Sequence, residues 1–245
     1  MKITENSIIG DLVAQDYRTA SVFKEYSVDF CCNGNRTIAN ACERKNINPA
    51  TMIQQLQKAT ESNNDVTIDY NSWPIDLLAD YIEKKHHRYV EQKILEIKPY
   101  LDKVTRVHGE RHPELHQIKQ YFYDCADELT MHMKKEELII FPFVRKLVKS
   151  QSTHEKPESP QFGSIQSPIE MMKHEHDTEG ERFRKIEELS DHYNPPQDAC
   201  NTYKVTFSLL KEFEEDLHLH IHLENNLLFP KAIEMERKYE YAGTN

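Results

Sequence analysis

Two stretches of this chain break an apolar helical stripe with the same ionisable pair, a pattern few folds can absorb twice. His132-Met133-Lys134-Lys135-Glu136 leads on to Phe141-Pro142, and His220-Ile221-His222-Leu223-Glu224 leads on to Phe229-Pro230, so H-x-x-x-E-x-x-x-x-F-P occurs twice. A spacing of four puts His and Glu on one helix face, one turn apart. The first pair lies on the stripe Leu115, Ile118, Phe122, Cys125, Leu129, His132, Glu136, Ile139, Phe143; the second lies on Leu210, Phe213, Leu217, His220, Glu224, Leu227. Both advance in steps of three and four, as one face of a helix does. Each copy also has an inward His one helix earlier. His87 opens the stripe Val90, Ile94, Ile97, Leu101, Val104, and His176 sits between Ile169, Met172 and Glu179, Phe183, Ile186. The chain therefore reads as a duplicated helical hairpin.

Composition agrees with helices. Six glycines in 245 residues are too few for an all-β fold or a Gly-rich nucleotide loop, which use glycine for turns and close backbone approach. Four long patterns, the first from about Pro74 to Val107 with Pro99 inside it, are joined at Gly109–Pro113, Ser150–Ser167 and Asn194-Pro195-Pro196. This is an all-α chain with an up-down four-helix bundle at residues 73–245. Residues 1–60 read as a small domain of short helices, around Ile9, Leu12 and Val13, then Val22 to Tyr26, Ile38 to Ala41 and Met52 to Leu56. The polar run Glu61-Ser62-Asn63-Asn64-Asp65 marks a linker, set at 61–72.

Lys and Arg total 31 against 41 Asp and Glu, a net charge of −10, which argues against non-specific binding to nucleic acid or to an anionic membrane. No apolar run approaches a membrane span, and the first residues lack the features of a secretory signal. Five cysteines, an odd number, suit a reducing compartment better than a disulfide framework. A cytoplasmic protein is expected.

The two His-Glu pairs, with His87 and His176, would deliver four imidazoles and two carboxylates to one point in the bundle core. That set suits two first-row metal ions, with imidazoles as terminal ligands and carboxylates between the ions. Iron is preferred over zinc, because six ligands shared by two ions leave open positions and bundle-core carboxylate sites commonly hold two irons. Residue type alone also admits zinc or manganese. A lone core His is more often a structural residue than a ligand. The repeat weighs against that reading, since it would bury two carboxylates without partners, at several kcal/mol each. His86, His174, His218 and His222 fall beside the chosen positions and read as a solvated face, while His108, His112 and His116 read as surface. His86 competes with His87, because Ile75, Leu78 and Ile82 extrapolate to His86.

Cys31-Cys32 is the second chemical feature. Adjacent Cα atoms lie about 3.8 Å apart, less than disulfides prefer, so a bond between the two would be strained. Two thiols on the Asn33-Gly34 turn suit metal capture, redox exchange or intermolecular bridging, with packing against Phe30 the plainer alternative. Cys42, Cys125 and Cys200 lie in helical patterns and read as packing.

Asp29-Phe30-Cys31-Cys32 with Gly34, Lys85-His86-His87, Arg106-Val107-His108, Glu175-His176-Asp177 and the two His-Glu segments, the second with Asn225-Asn226, resemble the ScdA/YtfE-type iron–sulfur cluster repair proteins over nearly the whole chain. The resemblance implies a hemerythrin-like bundle behind an ScdA-type N-terminal domain. It implies a non-haem centre of two iron ions with His87, His132, His176 and His220 as terminal ligands and Glu136 and Glu224 as bridges. It further implies repair of clusters damaged by nitrosative or oxidative stress, in which the centre binds NO or gives up iron and the Cys31 and Cys32 thiols relay electrons or iron to a damaged iron–sulfur protein. The resemblance leaves room for a homodimer. Asn33 departs from the family's first motif glycine, and Asn tolerates the left-handed backbone a turn needs. The competing functions are an O₂ or NO binding and sensing module, which needs the metal ligands but not the thiols, and a di-metal enzyme such as an NO reductase or hydrolase.

Overall fold

The computed structural model describes residues 2–61, 68–155, 157, 160 and 163–241. Residues 62–67 of the expected linker and part of Ser150–Ser167 lie outside the described residues. Four short helices come first: α1 (Ile9–Gln15), α2 (Thr19–Glu25), α3 (Ile38–Lys45) and α4 (Pro49–Glu61). The Thr37 hydroxyl caps α3 by accepting from the Asn40 N–H, and Asn46 ends it in the left-handed region. Among the described residues no strand forms, only an isolated bridge between Ile8 and Thr37. Tyr70, just before the bundle, packs edge-on against Trp73.

The bundle follows, and three of its four helices each contain one wide π turn. The first helix runs Ile75–Tyr81, widens over Ile82–His87, and continues as Arg88–His108 with Pro99 inside it. The second runs Glu114–Lys135, widens over Glu136–Ile140 and resumes as Phe141–Thr153; the third is Gln166–Leu189 throughout. The fourth runs Asn201–His222, widens over Leu223–Leu228 and resumes as Phe229–Tyr241. Pro142 and Pro230 stand second in the resumed segments. A proline has no N–H to give to the carbonyl four residues back, so the ladder is already broken where the extra residue is accommodated.

Each π turn slips the apolar stripe by one residue. Ile139, expected on the core stripe, is 41 % exposed, and Ile140 is buried in its place. In the first helix the slip carries the inward phase from His86 to His87 and leaves both buried.

Two apolar cores result. One packs α1–α4 with the Val90–Val104, Leu115–Met133, Phe183–Ile186 and Tyr203–Ile221 stretches of the bundle. The other packs Ile75–Ile82, Ile140–Leu147, Ile165–Met172 and Leu223–Ala232. In the first three bundle helices the change from one core to the other falls at His87, Glu136 and His176, and in the fourth at His222, two residues before Glu224, so a buried polar layer separates the cores. The N-terminal helices share a core with the bundle. No helix among the described residues is long and apolar enough to cross a membrane.

Several surface readings need correction. His222 is buried, His218 is half-buried, and His108 is buried with its Nε2 3.2 Å from Cys200 Sγ. These rings lie where the N-terminal helices or a neighbouring helix end cover a bundle face, which periodicity within one helix does not register. Cys200, read as packing, is exposed at the N-cap of the fourth helix. His174 and His116 are exposed as expected, and Cys42 and Cys125 are buried.

Candidate metal centre

All six residues singled out from the spacing meet in the polar layer. They form two groups of potential ligand atoms, His87, Glu136, His220, Glu224 and His132, Glu136, His176, Glu224, with the ligand atoms of each within 4.8 Å of one another. Both carboxylates are common to both groups. His87 Nε2 lies 3.4 Å from Glu136 Oε2, and His132 Nε2 lies 3.4 Å from Glu136 Oε1. His176 Nε2 is 3.2 Å from Glu224 Oε2, and His220 Nε2 is 3.1 Å from Glu224 Oε1. Glu136 and Glu224 are each 0 % exposed.

The far sides of the rings are tied. His87 Nδ1 donates to Glu137 at 3.1 Å, His132 Nδ1 to Glu175 at 2.7 Å and His176 Nδ1 to the Asn225 amide oxygen at 3.0 Å. Because carboxylates and an amide oxygen only accept, each Nδ1 carries a hydrogen, and each Nε2 turns inward the atom that holds a lone pair when the ring is neutral. His132 Nε2 and His176 Nε2 then face one another at 2.9 Å, an arrangement that needs a cation or a shared proton at that point. His87 Nε2, both oxygens of Glu136 and one oxygen of Glu224 are buried without a hydrogen-bond partner. Inward lone pairs and unpaired carboxylate oxygens are the donor set of a metal site, and the residues present fit one.

Protonation follows the same geometry. Burial would lower His87 and His132, yet Glu136 and its neighbours prevail and hold both at about 10. Burial would raise Glu224, but the His220, His176 and His87 rings draw it well below the carboxylate range. The layer thus concentrates negative charge that imidazole protons offset, and metal ions would displace those protons.

Residues 78–232 match the hemerythrin HHE cation binding domain, and residues 5–60 match ScdA_N, a domain of unknown function. The chain is 30 % identical over 230 residues to the iron-sulfur cluster repair protein ScdA of Staphylococcus haemolyticus, covering 94 % of this chain and 99 % of the relative. It is 34 % identical over 229 residues to YtfE, a protein of the same description, from Pectobacterium carotovorum, covering 93 % and 97 %. To YtfE of Yersinia pestis it is 32 % identical over 231 residues, covering 94 % and 98 %. The chain belongs to the ScdA/YtfE iron–sulfur cluster repair family.

In this repair-family chain the dithiol turn is fastened to the buried His/Glu layer. Asp29 Oδ1 accepts the N–H groups of Cys31 at 3.1 Å and Cys32 at 2.9 Å, which folds the turn. The two sulfurs are 3.8 Å apart and unbonded. Cys31 is buried, and its hydrogen bond with Cys32, then burial and nearby negative charge, push its thiol well above the ordinary range. Cys32 Sγ donates to the His176 carbonyl at 3.4 Å. Gly180 permits this approach, since a Cβ there would come within 3.2 Å of that sulfur. Asn225 links the two features, its Nδ2 donating to the Cys31 carbonyl at 3.2 Å and its Oδ1 accepting from His176.

Sequence reasoning missed the partners behind the clustered rings. Glu137, Glu175 and Asn225 hold rings on other helices, so no spacing within one helix reveals them, although Glu175 and Asn225 adjoin the motif residues. His220 Nδ1 has no partner; His86 stacks on that ring at 5.6 Å and donates its own Nδ1 to Asp216. Glu179, left outside the ligand set, pairs with Arg182 and is raised to about 7, chiefly by burial.

Proposed function

We propose that this chain is a di-iron protein that repairs iron–sulfur clusters damaged by nitrosative or oxidative stress, with His87, His132, Glu136, His176, His220 and Glu224 holding the two irons. The observation that carries the reading is the pair of inward Nε2 atoms on His132 and His176, 2.9 Å apart with both Nδ1 atoms tied to acceptors. Two irons bound there would supply a redox couple and coordination positions for NO or O₂. The chain's own residues do the rest. Glu137, Glu175 and Asn225 fix the tautomers, Glu136 and Glu224 offset charge, and two apolar cores keep bulk water from the layer. Residues 1–60 form the domain that carries Cys31 and Cys32, and residues 73–245 form the bundle. The thiols relay electrons or iron between the centre and a damaged iron–sulfur protein, a role that suits Cys32 lying on the backbone of a ligand-bearing turn.

The test is reactivation of an NO-damaged cluster enzyme by the iron-loaded chain and by its Cys31→Ala/Cys32→Ala variant. Repair by the first and at least about a tenfold slower repair by the second, at equal iron content, is expected if the thiols carry the rate-limiting transfer. Equal rescue removes the thiols from the mechanism. No rescue by either, with NO still bound reversibly, favours a binding and sensing module.

A further inference from the structure

Cys200 is the one exposed cysteine of the five. Cys42 Sγ donates to the Met52 sulfur, Cys125 is wholly buried, and Cys31 and Cys32 lie together at the dithiol turn. The Cys200 thiol stands at the N-cap of a 22-residue helix, over N–H groups that no carbonyl of that helix can take. The N–H of Tyr203, then that of Thr202, draws the thiol below its ordinary range. His220 lies about 30 Å further along the same helix, so this end of the bundle is remote from the buried His/Glu layer.

A second group sets this thiol apart from a plain surface cysteine. His108, at the end of the first bundle helix, is 5 % exposed, and its Nε2 points at Cys200 Sγ from 3.2 Å. Its Nδ1 has no hydrogen-bond partner, so among the described residues Cys200 is the only such partner of the buried ring. The Tyr203 ring packs edge-on against it at 5.4 Å and holds its plane. A nucleophile within hydrogen-bond reach of an oriented imidazole is an activated one, because the proton can pass from sulfur to nitrogen. The nearby charges are engaged with one another. His112 lies between Asp198 and Glu114, at 3.0 and 3.1 Å, and Arg111 meets Asp198 at 2.9 Å. The sulfur and the imidazole are therefore what the site offers a ligand.

We propose that Cys200 and His108 form a thiol-exchange site for a low-molecular-weight disulfide. The Cys200 sulfur attacks one sulfur of the ligand, R–S–S–R; the new S–S bond forms as the old one breaks. The other sulfur leaves as R–SH, carrying the proton that His108 took from Cys200, so the products are one mixed disulfide and one thiol. A disulfide suits the pair because exchange needs both a thiolate to attack and a proton for the departing sulfur, and the pair holds both. With the other four cysteines buried or held at the dithiol turn, the mixed disulfide persists until an external thiol reverses it. The site does not rest on the function proposed above.

Oxidised glutathione is the probe, added to the full metal-loaded chain at pH 7 and followed by mass mapping. One glutathionyl group on the Cys200 peptide, removable by dithiothreitol, is expected at unchanged metal content. A Cys31→Ala/Cys32→Ala chain should react at the same rate, and His108→Gln at least about threefold more slowly. Because the His108 ring is buried, a second comparison uses the wild type alone: native Cys200 should exchange at least about threefold faster than the same thiol in the urea-unfolded chain. The proposal is overturned by an adduct that forms elsewhere before Cys200, or by disulfide-linked dimers in its place. Equal rates in the native and unfolded chains, or a folded His108→Gln chain that reacts at the wild-type rate, overturn it as well.

Discussion

Glu214, on the fourth bundle helix, is buried, and Glu214→Gln should carry a stability signature that depends on pH. Burial, followed by the nearby charge of Glu187, raises the Glu214 carboxyl from its ordinary 4.5 to about 7. At about 1.4 kcal/mol for each tenfold change in acidity, that rise corresponds to roughly 3 kcal/mol. A carboxyl raised on folding contributes stability that is fully present below the unfolded value and is lost as pH climbs through the folded one. Below about pH 4.5 both states are protonated and the glutamine substitution is close to neutral, apart from the exchange of a carboxyl for an amide. By pH 8 the wild type holds an ionised carboxylate in its interior, with the Lys24 ammonium no nearer than 4.0 Å, and the variant does not, so the variant should be the more stable by up to about 3 kcal/mol. Urea unfolding of both chains at pH 5, 6, 7 and 8, with the slope m held common, reads the difference directly. The gain should appear mainly between pH 5 and 8. A difference that does not change over this range would show that Glu214 is solvated or well paired in the folded chain. It would refute the burial argument.

Three further outcomes follow from other contacts. Glu136→Gln with Glu224→Gln removes the two charges common to both ligand groups, and metal analysis should fall from about two ions per chain to fewer than about 0.2; undiminished loading would show that the ligand set is wrong. Gly10→Ala places a Cβ 2.7 Å from the Asn226 amide oxygen, forcing off a side chain whose Nδ2 donates to the Phe30 carbonyl at 3.2 Å and to His222 Nδ1 at 2.9 Å. Losing two hydrogen bonds should cost about 2 kcal/mol in urea unfolding, and an unchanged midpoint would contradict the packing of α1 on the fourth helix. Cys200 lies at a helix N-terminus, where the backbone N–H of Tyr203 leads the groups that lower its thiol, with His108 beside it. At pH 7, iodoacetamide should reach Cys200 well before Cys42 or Cys125, and His108→Gln should slow it severalfold; mass mapping of the alkylated peptides would expose equal rates in the variant.

The six residues that cluster were legible because their spacing is a property of single helices. A His and a Glu four apart remain on one face whatever surrounds them, and duplication separated a repeated feature from a stray one. What lay across helices was not legible. Glu137 answers His87, Glu175 answers His132, and Asn225 answers both His176 and the Cys31 carbonyl, and those pairings exist only after the bundle has closed. His222 and His218 were misread for the same reason: within the fourth helix they lie off the core stripe, but α1, α2 and the turn at Phe30 cover that side.

The phase slips are a different kind of failure, because part of the signal was present. Counting 3.6 residues per turn through Glu136 puts Ile139 inside, yet Pro142 cannot donate to the carbonyl of Leu138, and Pro230 cannot donate to that of Asn226. A helix with that hydrogen bond missing can take up one extra residue at little further loss. The slip turns Ile140, Val144 and Leu147 toward the second core, while His132 and Glu136, on the unslipped side, stay aligned with the first. The Phe-Pro that ends each repeat therefore belongs to the His-Glu pattern: it lets one helix serve two cores with a polar layer between them. The first helix slips by the same amount at Ile82–His87 without a proline, and there periodicity left His86 competing with His87, so that the resemblance alone decided for His87.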